Sequence, residues 1–221
     1  MKVLGPSRTN KWLVLVLVGA LALVITACAG SGEDEEMGVQ LPDGCEEVET
    51  PAPKKVSLEA PSSRLSGPTN ATVETSCGSF TIALDVERAP KTSASFAYLA
   101  RQGVYDNTLI HRIEPGFVVQ GGDPSGDGTG GPGYSVVEKP PANLRYTPGI
   151  VAMAKTGSEA AGTSGSQFFV VTGDAQLTPD YALLGKVVEG MDVVMKLDEL
   201  GAPGGTPRAP VIIKSVEIAP A

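Results

Sequence analysis

The sequence predicts an all-β fold, a barrel or sandwich carrying only two helices. Three observations lead there. Short apolar runs recur along residues 71–218, most of them four to seven residues long. Only two stretches have the length and punctuation of helices. The runs are separated by Gly, Pro, Asn and Asp clusters, which favour turns over long βα crossovers.

The elements follow in order. Ala71–Thr75 and Phe80–Leu84 alternate apolar and polar residues on either side of Cys77-Gly78, a hairpin pattern. Ala89–Gln102 places Ala94, Phe96, Ala97, Leu99 and Ala100 between an early Pro90 and a following Gly103, which are helix start and stop signals. Strand-like runs come next at Leu109–Ile113, Phe117–Val119, Ile150–Ala154, Phe168–Val171 and Ala182–Val188. A second helix fits Met191–Leu200, between Gly190 and Gly201, and a last strand fits Val211–Ile218.

Ahead of this domain the chain changes character. Lys2, Arg8 and Lys11 precede an apolar run from Trp12 to Ile25, about 14 residues and too short for a spanning helix, which needs about 20. This reads as an export signal over residues 1–27. Thr26-Ala27-Cys28-Ala29 at its end resembles a bacterial lipobox. That resemblance implies cleavage before Cys28 and lipidation of its thiol, hence a membrane anchor and an extracytoplasmic location; several acyl chains hold firmly where one does not.

Residues 28–69 are acidic at Glu33–Glu36, rich in proline and poor in apolar side chains. They cannot bury enough surface to fold alone and are expected to form a flexible tether, with a span on the order of 35 Å. The domain proper is expected at 70–221. Cys45 and Cys77 remain as an even pair in an oxidising setting, either bridged or as two free thiols. Cys77 is expected at an exposed hairpin tip.

The chain of 221 residues carries 17 basic and 25 acidic side chains, and three of the basic ones lie in the signal. Such an acidic surface would repel phosphates, so nucleic acid is an unsuitable partner.

Two blocks carry the chemistry. Ile110-His111-Arg112-Ile113 runs into Pro115-Gly116-Phe117-Val118-Val119-Gln120-Gly121-Gly122-Asp123, and Gly165-Ser166-Gln167-Phe168-Phe169-Val170 follows downstream. With Gly128–Gly131, Gly149–Ala154 and Gly185–Gly190, these collinear blocks resemble the cyclophilin family of peptidyl-prolyl isomerases over about residues 70–219. The resemblance implies a closed antiparallel barrel of eight strands with a helix across each end, and an active groove on its outer face. It also implies cis–trans rotation of X–Pro bonds without cofactor or metal.

Rotation about an X–Pro bond faces a barrier of about 18–20 kcal/mol and breaks no bond. Catalysis needs a grip on proline and a donor for the nitrogen lone pair that twisting localises. A guanidinium suits that role, which points to Arg112. The family resemblance gives His111 a supporting place and Gln120 a hydrogen bond to the substrate backbone. It gives Phe117, Val118, Phe169 and Leu177 the apolar proline pocket. Ala154, Lys155 and Gln167 match the rim for residues preceding proline, and Tyr181 replaces a rim histidine. Gln176 stands where many members have a tryptophan, which implies weak cyclosporin binding. Since Phe168 and Phe169 must face opposite sides of a strand, Phe169 is assigned to the pocket and Phe168 to the core.

The expected partners are proline-containing peptides and unfolded exported proteins, with the protein acting as a monomer. The alternative function is a non-catalytic proline-binding or chaperone module on the same scaffold. Other motifs fail. Gly126–Gly131 fits GxGxxG, but Pro132-Gly133 follows where a helix would be required. Asp123–Gly128 resembles the start of a calcium loop, yet Tyr134 stands where the bidentate Glu belongs. A single histidine and no cysteine cluster leave a zinc site without ligands.

Overall fold

The computed structural model describes residues 39–221. Eleven strands and two helices form in this order: β1 Thr69–Thr75, β2 Gly78–Leu84, α1 Pro90–Arg101, β3 Thr108–Leu109, β4 Arg112–Glu114, β5 Val118–Gly121, β6 Val136–Val137, β7 Ile150–Met153, β8 Thr163–Ser164, β9 Phe168–Val171, β10 Leu183–Glu189, α2 Met191–Asp198 and β11 Ile212–Pro220. The mainly-β expectation with two helices holds.

Nine strands make one curled sheet in the order β3-β11-β1-β2-β10-β7-β9-β5-β4, and β6 pairs with β8 in a separate ribbon. The expected closed eight-stranded ladder is corrected here. β3 and β4 are the two edges of the sheet, and only Ile110 and His111 lie between them in the chain. The run predicted as one strand over Leu109–Ile113 breaks at that point. Ile110 N–H bonds the carbonyl of Val211 and Ile113 N–H that of Gly205, so each half follows a different neighbour.

Inside the curl lie Val73, Ile82, Phe96, Leu99, Tyr105, Ile113, Met153, Leu184 and Ile213, all sealed from solvent. Phe96 of α1 stacks on Tyr105 at 4.8 Å between ring centroids and meets Phe168 edge-on at 5.4 Å. The first turn of α1 has Pro90 in place and no side-chain cap from Ala89. Its free N–H groups are satisfied from afar: the Glu138 carboxylate accepts from Lys91 N–H and, at 2.8 Å, from Thr92 N–H.

The expected tether is also corrected. Residues 39–68 belong to the same compact unit as the domain. Leu41, Val56, Leu58 and Leu65 pack against the core, and Cys45 is bonded to Cys77. Cys77 is therefore buried rather than exposed. The segment is laid against the domain's surface, which supplies the burial that its own composition lacks. The Glu46 N–H bonds the Ser76 carbonyl at 2.7 Å beside the disulfide. The signal over 1–27 and Cys28 lie outside the described residues.

Candidate active site

The site arises from strand alternation. Along β5, Val119 and Gly121 face the inside of the curl, while Val118 and Gln120 face outward. Along β9, Phe168 and Val170 join the core, and Phe169 and Val171 join a second apolar cluster outside it. Register then aligns the outward residues. Arg112 of β4 pairs with Gln120, Gln120 with Phe169, and Phe169 with Ala152 of β7. One row across four strands thus runs from a cation through an amide to an aromatic ring and a small apolar residue.

The polar end of this row is linked by a chain of side-chain hydrogen bonds. Arg112 Nη1 donates to Gln120 Oε1 at 3.1 Å, and Nη2 reaches Glu114 Oε1 at 3.5 Å. Gln120 Nε2 donates to Gln167 Oε1 at 3.1 Å and lies 3.4 Å from His111 Nε2. Gln167 Nε2 in turn donates to the carbonyls of Gly128 and Gly130. Burial holds the His111 pKa below its ordinary value, and the neighbouring Arg112 charge adds to that, against the Asp123 carboxylate; its Nδ1 is buried without a hydrogen-bond partner among the described residues. A neutral His111 can accept from Gln120, which orients the amide oxygen toward Arg112.

Beyond Gln120 a cleft of about 160 Å³ opens, with Arg112 and Gln120 among its lining residues. Phe117, Val118, Phe169 and Leu177 form its apolar wall, and Ala154, Lys155 and Tyr181 its rim. The structure therefore brings nine sequence-predicted residues to one hollow. His111 and Gln167 stand one bond away through Gln120 and do not line it. Gln167 lines an adjoining groove of about 670 Å³ with Gly128–Ser135, Ala154–Thr156 and Glu159. Lys155 turns its ammonium toward the carbonyls of Thr156 and Glu159 and sits 5.6 Å over the Tyr181 ring. Gln176 lines neither and bonds Asp174.

Two supporting residues escaped sequence reasoning. Tyr146 is buried, donates its hydroxyl to the Tyr181 carbonyl at 2.7 Å and accepts from Tyr181 N–H at 3.1 Å. Burial pushes its pKa up to about 12, so the hydroxyl stays protonated. Asp198 of α2 accepts from Gly116 N–H at 2.9 Å and from Thr172 Oγ1 at 2.7 Å. It ties the turn before Phe117 to the end of β9. Gly173 allows this approach, because a Cβ there would lie 1.9 Å from the Gly116 carbonyl oxygen. Neither residue sits in a motif; each acts through a partner distant in sequence.

Residues 70–218 match the family model for cyclophilin-type peptidyl-prolyl cis-trans isomerases. The chain belongs to the cyclophilin family of peptidyl-prolyl cis-trans isomerases. An Arabidopsis thaliana isomerase of this family is 39% identical over 135 residues, covering 59% of this chain and 80% of that protein. A Mycobacterium bovis protein named "Probable peptidyl-prolyl cis-trans isomerase A" is 37% identical over 169 residues, covering 67% and 91%. The crystal structure of a Cryptosporidium parvum cyclophilin-type isomerase superposes with a TM-score of 0.64 at 32% identity, covering 70% of this chain and 99% of that one. A second structure of that protein, in the presence of the dipeptide Ala-Pro, superposes with a TM-score of 0.64 at 30% identity, covering 69% and 99%. This isomerase thus shares its fold and its family's reaction, and its matched region begins after the strap formed by residues 39–68.

Proposed function

We propose that this isomerase rotates X–Pro bonds in proteins exported across the cell membrane, and so assists their folding. The prolyl ring enters the cleft against Phe117, Val118, Phe169 and Leu177. The substrate backbone meets Gln120, and residues preceding proline lie along Ala154, Lys155 and Gln167. Arg112 donates to the prolyl nitrogen once twisting has localised its lone pair. That bond is stronger in the twisted state than in the planar one, which is the condition for acceleration. His111 supports the arrangement by accepting from Gln120. No cofactor or metal is required.

The observation that carries this reading is the cleft itself: a single guanidinium at the edge of an apolar hollow of about 160 Å³. The outward-turned, polar Gln176 leaves no tryptophan beside it, so cyclosporin should bind weakly. The protein is read as a monomer, carried on a lipid at Cys28 and held outside the cytoplasm in a bacterial envelope. Palmitate labelling that vanishes in Cys28→Ser would support the anchor, and unchanged labelling would remove it.

The catalytic assignment is tested with Arg112→Ala. Cis–trans exchange of an Ala-Pro-Phe-type peptide is followed by NMR. Loss of a preorganised donor should lower kcat about 10²- to 10³-fold. Exchange within threefold of the parent protein would remove Arg112 from the mechanism. Peptide shifts without acceleration by the parent protein would leave a proline-binding module.

A further inference from the structure

The strap over residues 39–68 precedes the region that matches the family, yet it touches the wall of the larger groove at defined points. Lys54, Val56 and Leu58 are half-buried, while Lys55, Ser57 and Glu59 point to solvent. That period of two marks an extended chain laid along the domain with one face inward. Lys54 N–H donates to the Pro124 carbonyl and Leu58 N–H to the Pro132 carbonyl, both at 2.8 Å. These two bonds clasp the start and the end of the loop 124–132. The Lys54 ammonium also donates to the carbonyls of Val104 and Asp106, fastening the strap to the chain beyond α1.

The clasped loop is the one that holds Gln167. Its Gly128 and Gly130 carbonyls accept from Gln167 Nε2, and Gln167 Oε1 accepts from Gln120. Gly128–Pro132 lines the groove beside the proline cleft. Ser57 crosses the next residue closely: a Cβ on Gly133, whose φ is +90°, would stand 3.0 Å from the Ser57 Cα. Asp123 anchors the loop from within, accepting from Ser125 N–H and Gly128 N–H. The outer side of the loop is held by the strap. Upstream, the Cys45–Cys77 bond fixes the strap to the β1–β2 hairpin.

We propose that residues 54–58 are positioning residues for substrate selection: the strap sets the groove wall that receives the residues preceding proline. This rests on the groove reading given above. The strap does not touch the cleft that would hold the prolyl ring, so it should act on binding of the preceding residues and not on the rotation step.

The test uses the full chain with Leu58→Asp, which places a charge on the inward face, and Leu58→Met as the conservative partner. Trypsin cleavage at Lys54 and Lys55 reports whether the strap has lifted, and a thermal melt reports folding. NMR exchange gives kcat and KM for a short Ala-Pro peptide and for one extended by three residues before the alanine. With the strap lifted, KM for the long peptide should rise about fivefold, the equivalent of one net hydrogen bond, with kcat within twofold and the short peptide unaffected. Leu58→Met should restore the parent KM. An unchanged long-peptide KM with the strap lifted, or equal losses on both peptides, would overturn the proposal. If the parent protein itself fails to distinguish the two peptides, the groove reading falls and the proposal with it. Should Leu58→Asp not fold, Lys54→Met is read by the same criteria.

Discussion

Tyr146→Phe removes one oxygen and isolates the support of the cleft's far wall. That oxygen makes two bonds, to the carbonyl and to the N–H of Tyr181. Each net hydrogen bond contributes about 1 kcal/mol, so their joint loss should cost about 2 kcal/mol. For a folded unit of this size about 1 kcal/mol moves Tm by roughly 2–4 °C, which gives a fall of about 4–8 °C. The effect on function follows from what Tyr181 touches. Its ring meets Phe169 edge-on at 5.4 Å and carries Lys155 above it. Released from Tyr146, Tyr181 should sample positions away from the cleft, raising KM about three- to tenfold, which corresponds to at most about 1.4 kcal/mol. Arg112 and Gln120 are held by each other and not by Tyr181, so kcat should change little. Thermal melts and NMR exchange on the same samples measure both. A Tm shift below about 1 °C would refute the energetic reasoning. A full Tm shift with an unchanged KM would show that Tyr181 is not a wall of the substrate site.

Two further outcomes are expected. Because burial lowers the His111 pKa below 6.5, the unfolded chain takes up a proton there before the folded one does. Stability from this group is present above pH 6.5 and is lost as pH falls toward the lowered value. Tm should hold from pH 8 to 6.5 and decline below, while the exchange rate of the folded protein holds until pH nears the lowered value; the decline in Tm should be shallower in His111→Gln, and equal slopes would exclude His111 as its source. The Cys45–Cys77 bond spans 32 residues, worth roughly 3–4 kcal/mol in the chain-entropy model, so reduction should lower Tm by roughly 6–16 °C. A fall below about 2 °C would mean that strap packing holds the segment without the bond.

What could be read from the sequence was whatever follows from local periodicity. The two-residue repeat of a strand separated Phe168 from Phe169, and the family resemblance said which of the two faces the pocket. Both helices begin within a residue of their glycine and proline signals, although α2 ends at Asp198, two residues short of the expected Leu200. β6 and β8 were missed because two residues each are too few to show any period. Tyr146 and Asp198 were missed because their roles depend on partners 35 and 82 residues away. The strap was misread for a different reason. Composition tests whether a segment can fold by itself, and Val56 and Leu58 need only a surface supplied by the rest of the chain.

The same alternation explains why a packed domain can carry this site on its outside without a built cavity in its core. Ile113, Val119, Val170 and Val151 point inward and join the buried cluster, so each strand is fixed in depth by its own core residue. Arg112, Gln120, Phe169 and Ala152 are their neighbours in sequence and must face outward. A slip of one residue in β5 would send Gln120 inward and Val119 outward, and would bury an unpaired amide. The core thus enforces the register of the site. Cross-strand spacing of about 4.7–4.9 Å then sets the distance between the guanidinium and the aromatic ring two strands away, at roughly 10 Å between backbones. In the proposed binding mode a prolyl ring resting on Phe169 would have its amide nitrogen on the Arg112 side of that interval. Stability and geometry at this site therefore share one cause, the inward half of the same four strands.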